Sequence, residues 1–284
     1  MIAYYIIAPM VRPAIRVGKW VLTAYRNATS TVNPRLILIV AHPRSGTTAV
    51  ATLLAKHCGL RAFTQTGPWT RADADIVTGR RTMAEVIARN RYPFSLDIMS
   101  AADAGSFLPQ MKAALPEMRV VFLLRDPRDV ICSVLERINK GDTSTIVVSD
   151  LDYRYLQTDW LGIIEQDPIR KLALRWNKWL ELAKSADGVL FRRYEDFLED
   201  KRKFISDLAD HLGLPSRFDI SGEMDRQMSK HGGDIRIRGA GRWEEMLPTA
   251  TARLIEATCR DGMLAFGYLA DERASSGRAD DTPG

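Results

Sequence analysis

Residues 36–58 read LILIVAHPRSGTTAVATLLAKHC. An apolar run from Leu36 to Val40 breaks at a short loop holding Pro43, Arg44, Ser45, Gly46, Thr47 and Thr48, and a segment with apolar Ala, Val and Leu at helical spacing comes at once after it. Strand, Gly/Ser/Thr loop, then helix is the order by which a chain aims several backbone N–H groups at one phosphate. The helix dipole adds partial positive charge at the same point. Set against G-x-x-x-x-G-K-[ST], the first Gly falls at Ala41 and the Lys at Thr47. The cation stands instead at Arg44, two residues ahead of Gly46. The stretch therefore predicts a phosphate-type site, but not one for metal-assisted hydrolysis of ATP or GTP.

A second stretch, RVVFLLRDPRDVICSVLE at 119–136, sharpens this. Val120 to Leu124 form a continuous apolar run, as expected of a strand buried on both faces of a parallel sheet. Arg125 stands at its carboxyl end, where open α/β sheets bind ligands. Asp126 and Pro127 open a helix, and Ser133 lies eight residues after Arg125. A guanidinium offers a planar fork of donors to a phosphate, and the hydroxyl adds one more.

The rest of the chain alternates in the same way. Strand patterns fall at 36–40, 94–99, 119–124 and 188–192, and helical patterns at 48–58, 82–90, 103–114, 128–138, 169–184, 195–212 and 249–264. That alternation predicts an α/β fold, a mainly parallel sheet flanked by helices on both faces. Trp176 and Trp179 lie in a helical pattern and read as core. The turn-rich, aromatic-bearing stretches 61–80 and 139–165 are where a pocket and its lid are expected. Arg80, Arg81, Arg89 and Arg91 read as a solvated face, or else as a greeting for an anionic acceptor.

HPRSGTT (His42 to Thr48) and RDPRDVICS (Arg125 to Ser133), about eighty residues apart and each behind an apolar run, resemble the sulfotransferases that use 3′-phosphoadenosine 5′-phosphosulfate (PAPS). The resemblance implies the P-loop-like sulfotransferase fold, with the first loop (Arg44, Ser45, Gly46, Thr47, Thr48) on the 5′-phosphosulfate and Arg125 and Ser133 on the 3′-phosphate. GVLFRRYEDFLED at 188–200 resembles the family's next strand and Tyr-Glu-Asp turn, which puts Tyr194 at the adenine. RIRGAGRW at 236–243 resembles its glycine-containing C-terminal loop. That loop is one residue short, so Arg236 and Arg238 are both candidates beside Gly239. The likeness covers roughly 35–268.

The departures bear on mechanism. Many cytosolic members carry Lys where this chain has Arg44, and the Trp that often stacks on adenine is Ala49. Their catalytic His belongs on the strand before the 3′-phosphate motif, yet no His occurs between His57 and His211. Sulfuryl transfer to an alcohol needs an in-line hydroxyl, positive charge on the leaving group and a base for the proton. Arg44 is expected to supply the charge. Asp97, in RYPFSLDIMS and expected near the carboxyl end of its strand, is the first candidate base, with His231 in reserve; His42 and His57 read as structural. The expected acceptor is a hydroxyl compound, with carbohydrate or lipid-linked molecules favoured by Arg44, and no metal is expected. A small-molecule phosphotransferase and a catalytically silent nucleotide-binding protein are the alternatives. The residue at Thr47 argues against the first, because the Lys normally found there bridges the β- and γ-phosphates, and activity alone separates the second.

Composition is consistent with this picture. The 284 residues are 46% hydrophobic and 26% charged, as in a soluble globular protein. The pI near 9.1 suits a polyanionic nucleotide, and no motif points to nucleic acid. Cys58, Cys132 and Cys259 are scattered without metal-ligand spacing and read as reduced, buried thiols of a cytoplasmic protein. Residues 1–34 begin MIAYYIIAPMV, too short an apolar run to cross a bilayer, with Arg12, Arg16 and Lys19 after it rather than before. They read as an arm for a membrane surface, the domain or a second subunit. The domain is expected over 35–270 and a disordered tail over 271–284.

Overall fold

The structure, a computed structural model, describes residues 21–64, 75–138, 161–223 and 239–270. Its centre is a five-stranded parallel sheet in the order β2-β3-β1-β4-β5. The strands are β1 (Ile37–Ala41), β2 (Ala62–Phe63), β3 (Ile98–Ser100), β4 (Arg119–Leu124) and β5 (Val189–Arg193). β1 lies between β3, with Ile37 level with Ile98, and β4, with Ile37 level with Arg119. Strand order reverses at β1, so the crevice of the sheet opens at its carboxyl end, where the 42–46 loop begins.

The β1 and β4 runs are apolar throughout because both their faces are buried. Leu38, Val40, Val120, Phe122 and Leu124 point into one core, shared with α6 (Pro127–Ile138), α7 (Pro168–Lys184) and α11 (Thr249–Ala265). Ile37, Ile39, Ala41, Val121 and Leu123 point into the other, against α2 (Thr47–Cys58), α8 (Tyr194–Glu199) and α9 (Lys201–His211). Helices thus cover both faces, as predicted. Trp176 and Trp179 are core, and the three cysteines are buried free thiols.

Several boundaries differ from the sequence pattern. The 195–212 helix breaks at Asp200, whose carboxylate accepts the Lys203 N–H and restarts the chain as α9. The 103–114 helix begins as a 3₁₀ turn (Ala102–Phe107) before α5 (Leu108–Ala114). The predicted strand at 94–99 is displaced: 91–94 form a helical turn, α4 (Arg91–Phe94), after α3 (Met83–Arg89), and β3 starts only at Ile98. Within the arm, residues 21–29 form a helix, α1, tied to α4 by Tyr92 N–H donating to Asn27 Oδ1 (3.0 Å) and by Arg26 over the Tyr92 ring. Among the described residues no helix is long and apolar enough to cross a membrane.

Candidate active site

The loop leaving β1 turns on two left-handed residues, Arg44 at φ 77° and Gly46 at φ 79°. Such alternation turns successive N–H groups to one side. No side chain caps α2, and the N–H groups of Ser45, Gly46, Thr47 and Thr48 meet no acceptor among the described residues. Ser45 Oγ is also buried without a hydrogen-bond partner among the described residues. Buried donors left unpaired are costly, and here they converge where an anion would satisfy them.

Gly46 is required by its neighbour as well as by its φ. Tyr194, delivered by the end of β5, lays its ring over the loop so closely that a Cβ on residue 46 would stand 2.1 Å from Tyr194 Cε2. Burial raises the Tyr194 hydroxyl above its ordinary pKa, so it is protonated at neutral pH. The Arg125 guanidinium lies 5.2 Å from the centre of the same ring.

Arg125 is buried and joins the two motifs. Its Nη1 donates to the Arg44 carbonyl (2.7 Å), its Nη2 lies 3.9 Å from Asp129 Oδ2, and its Nε is buried without a partner among the described residues. Its own carbonyl accepts from Trp176 Nε1 at 3.1 Å. Ser133 Oγ accepts from Arg44 Nε at 3.2 Å, so the side chains of the two motifs touch. On the other flank Ser100 Oγ, at the end of β3, donates to Thr47 Oγ1 (3.1 Å). Arg44, Ser45, Gly46, Thr47, Thr48, Arg125, Ser133 and Tyr194 therefore share one end of the sheet. Exposed Gly239 begins the turn that runs back onto α6. Arg236, Arg238 and His231 lie outside the described residues.

Asp97 does not belong to this site. It precedes β3, and its carbonyl accepts the Ile37 N–H at the amino end of β1, the edge opposite the loop. Its carboxylate accepts the Arg61 N–H at 2.9 Å and pairs with Arg61 Nε at 3.4 Å. The strand starts four residues later than its pattern suggests, and that moves Asp97 from the expected carboxyl end to the amino end. The true carboxyl end of β3 leads into the 3₁₀ turn, whose second residue is Asp103.

Two residues absent from the sequence reading support the site. Glu195 accepts the Asp126 N–H (3.0 Å) and the Tyr268 hydroxyl (2.9 Å), fixing the start of α6; burial raises its pKa. Asp129 is the second, and it binds the 241–243 turn that leads into α10 (Trp243–Met246). Of the histidines, His57 is held by Phe218 O and Ser216 Oγ, both at 2.9 Å. His42 is buried 4.9 Å from the Trp179 ring, neither ring nitrogen having a hydrogen-bond partner among the described residues, and burial together with Arg175 holds its pKa well below the usual value. Arg80 and Arg81 pair with Asp75 (3.3 and 3.0 Å).

A cavity of about 280 Å³ opens beside the 3₁₀ turn, lined by the apolar Ile76, Val77, Phe107, Leu161 and Leu182 and the polar Ser106, Gln110 and Lys178. It joins the described ends of the two stretches expected to form the pocket. The larger cavity, about 850 Å³, runs along the β5 edge past Phe191 and Phe266 and is lined also by Leu124, Asp196 and Lys203, whereas Arg44, Arg125, Ser133 and Tyr194 do not line it.

Residues 34–263 match the family described as Sulfotransferase domain. The chain is 32% identical over 100 residues to Cytosolic sulfotransferase 14 of Arabidopsis thaliana, a match spanning 35% of this chain and 28% of that relative's length. The fold is shared with STF9 of Mycobacterium avium (TM-score 0.52, 12% identity, covering 88% of this chain and 81% of that one). It is shared equally with mouse SULT7A1, solved with PAP (TM-score 0.51, 13% identity, 87% and 93%). With the matched span covering most of the chain, from the start of β1 into α11, the chain belongs to the sulfotransferase-domain family.

Proposed function

We propose that this chain is a sulfotransferase moving a sulfuryl group from PAPS to an acceptor hydroxyl. The observation that carries the reading is the junction of the two motifs, where Arg44 Nε reaches Ser133 Oγ and Arg125 reaches the Arg44 carbonyl. One ligand with phosphate-like groups at both places satisfies the loop N–H groups and the Arg125 Nε that have no partner among the described residues. The PAP named with the mouse neighbour has that form. Tyr194, its ring close against Gly46, offers an aromatic surface between the two.

In the transfer the acceptor oxygen–sulfur bond forms as the bond from sulfur to the bridging phosphate oxygen breaks. Arg44 and the loop N–H groups bear the charge growing on the leaving phosphate; removing one such donor typically costs about 10²–10³ in rate. We assign the acceptor's proton to Asp103, by its place on the turn at the carboxyl end of β3. The mixed walls of the 280 Å³ cavity, apolar at Ile76, Val77 and Phe107 and polar at Ser106, Gln110 and Lys178, suit a carbohydrate or a lipid-linked acceptor alike. Val21, Leu22 and Tyr25 of α1 are exposed, and with the basic, apolar residues before them they suit a lipid surface; sedimentation with anionic against zwitterionic vesicles tests that contact.

Calorimetric titration with adenosine 3′,5′-bisphosphate, ATP and 5′-AMP tests the donor site. Tight bisphosphate binding with weak ATP and AMP is expected, and Arg125→Ala should remove most of the advantage of bisphosphate over AMP. Preference for ATP would replace this reading with a phosphotransferase. Transfer from PAPS to a panel of alkyl and sugar alcohols then separates an enzyme from a silent binding protein.

A further inference from the structure

Helix α6 is buried along most of its length, yet one stripe of it is polar: Asp129, Ser133 and Glu136, at i, i+4 and i+7. Polar side chains in such a place are expected to have partners. Ser133 meets Arg44. The two acids both turn to the segment after Gly239. Asp129, with a side chain only 1% exposed, accepts the Gly241 N–H on Oδ2 (2.9 Å) and the Trp243 N–H on Oδ1 (3.1 Å). Glu136 takes both Nη groups of Arg242, at 2.7 and 3.2 Å. Arg128, one residue before Asp129 on the helix, stacks 3.9 Å over the Trp243 ring.

Asp129 also faces the other way. Its Oδ2 lies 3.9 Å from Arg125 Nη2, and Arg125 Nη1 in turn holds the Arg44 carbonyl. One buried carboxylate thus connects the C-terminal turn, the strand-end guanidinium and the phosphate loop. Gly241 sits at φ 80°, a conformation that glycine adopts without strain and that lets its N–H reach the acid.

From this we propose that Asp129 is the positioning residue of the donor site. It fixes the 241–243 turn and aims Arg125, so that affinity for a 3′-phosphate depends on a group that does not touch it. The proposal rests on the PAPS reading for its ligand, and on the turn alone for its geometry.

The test is Asp129→Asn, which keeps one acceptor oxygen but sets an NH₂ against a backbone N–H. Losing charge-assisted bonds of this kind corresponds to about ten- to a hundredfold in affinity. Bisphosphate binding should weaken by that factor while 5′-AMP binding changes less than about threefold. Amide exchange at Gly241 and Trp243 should accelerate while core amides of β1 and β4 do not. Equal losses for both nucleotides, or unchanged exchange at the two amides, would overturn the proposal. If the wild-type protein itself shows no preference for bisphosphate, the donor reading fails, and the exchange result alone decides whether Asp129 holds the turn. Should Asp129→Asn not fold, Glu136→Gln serves instead. It cuts the Arg242 anchor without touching Arg125, and should cost several-fold in bisphosphate binding and none in AMP; no change in either would count against the proposal.

Discussion

Replacing Gly46 by alanine probes the loop's packing without depending on any ligand. Two penalties are expected. A left-handed backbone at φ 79° costs a non-glycine residue about 1–2 kcal/mol. The new Cβ would also stand 2.1 Å from Tyr194 Cε2 and 2.8 Å from Cδ2 and Cζ, so the ring must move. Tyr194 is buried and stacked on Phe197 at 5.7 Å, so this displacement resembles overpacking, at about 1–3 kcal/mol. Together Gly46→Ala should lose roughly 2–5 kcal/mol in urea unfolding. The two parts separate in a double-mutant cycle with Tyr194→Val, which removes all three clashing atoms. In that background the cost of Gly46→Ala should fall to the backbone part, about 1–2 kcal/mol. Costs in the two backgrounds agreeing within about 0.5 kcal/mol would mean that the ring does not lie over the loop, and the account of Tyr194 would fall with it.

Three further outcomes are expected. Arg44→Ala should reduce sulfuryl transfer at least 10²-fold while shifting stability by no more than about 0.5 kcal/mol, since its side chain is exposed; this is read from turnover beside urea curves. Asp103→Asn should lower turnover about 10²–10⁴-fold with donor affinity unchanged, whereas Asp97→Asn should leave turnover alone and cost about 1 kcal/mol of stability from its bond to Arg61; the reverse pattern would return the base to Asp97. His42 gives a pH signature. Its native pKa is lowered, chiefly by burial, so below the unfolded value of 6.5 the unfolded chain binds a proton that the native one refuses. Stability contributed above that pH should be lost as pH falls, at up to about 1.4 kcal/mol per unit, and His42→Leu should remove this component from urea curves taken between pH 7 and 5.

What the sequence disclosed and what it withheld divide along a physical line. The strand–loop–helix order at 36–58 and the Arg125–Ser133 spacing are local features, set by neighbours in the chain, and the structure brings them to one end of the sheet. Register is not local. A short strand such as β3 has too few residues for its alternation to fix its bounds, and Phe94 closes a helical turn where the apolar pattern suggested extended chain. A shift of four residues was enough to carry Asp97 to the wrong edge and hide Asp103 in a predicted helix. The role of Asp129 was withheld for another reason. In RDPRDVICSVLE the acids at 129 and 136 look like any solvated helix face, because their spacing shows that they share a side but not what covers it. Burial makes the difference: the side chains of Asp129 and Glu136 are only 1% and 10% exposed, so the stripe must find donors within the protein. The donors it finds are the N–H groups of Gly241 and Trp243 and the guanidinium of Arg242. A donor site assembled this way is held from behind, by a carboxylate that the ligand never meets.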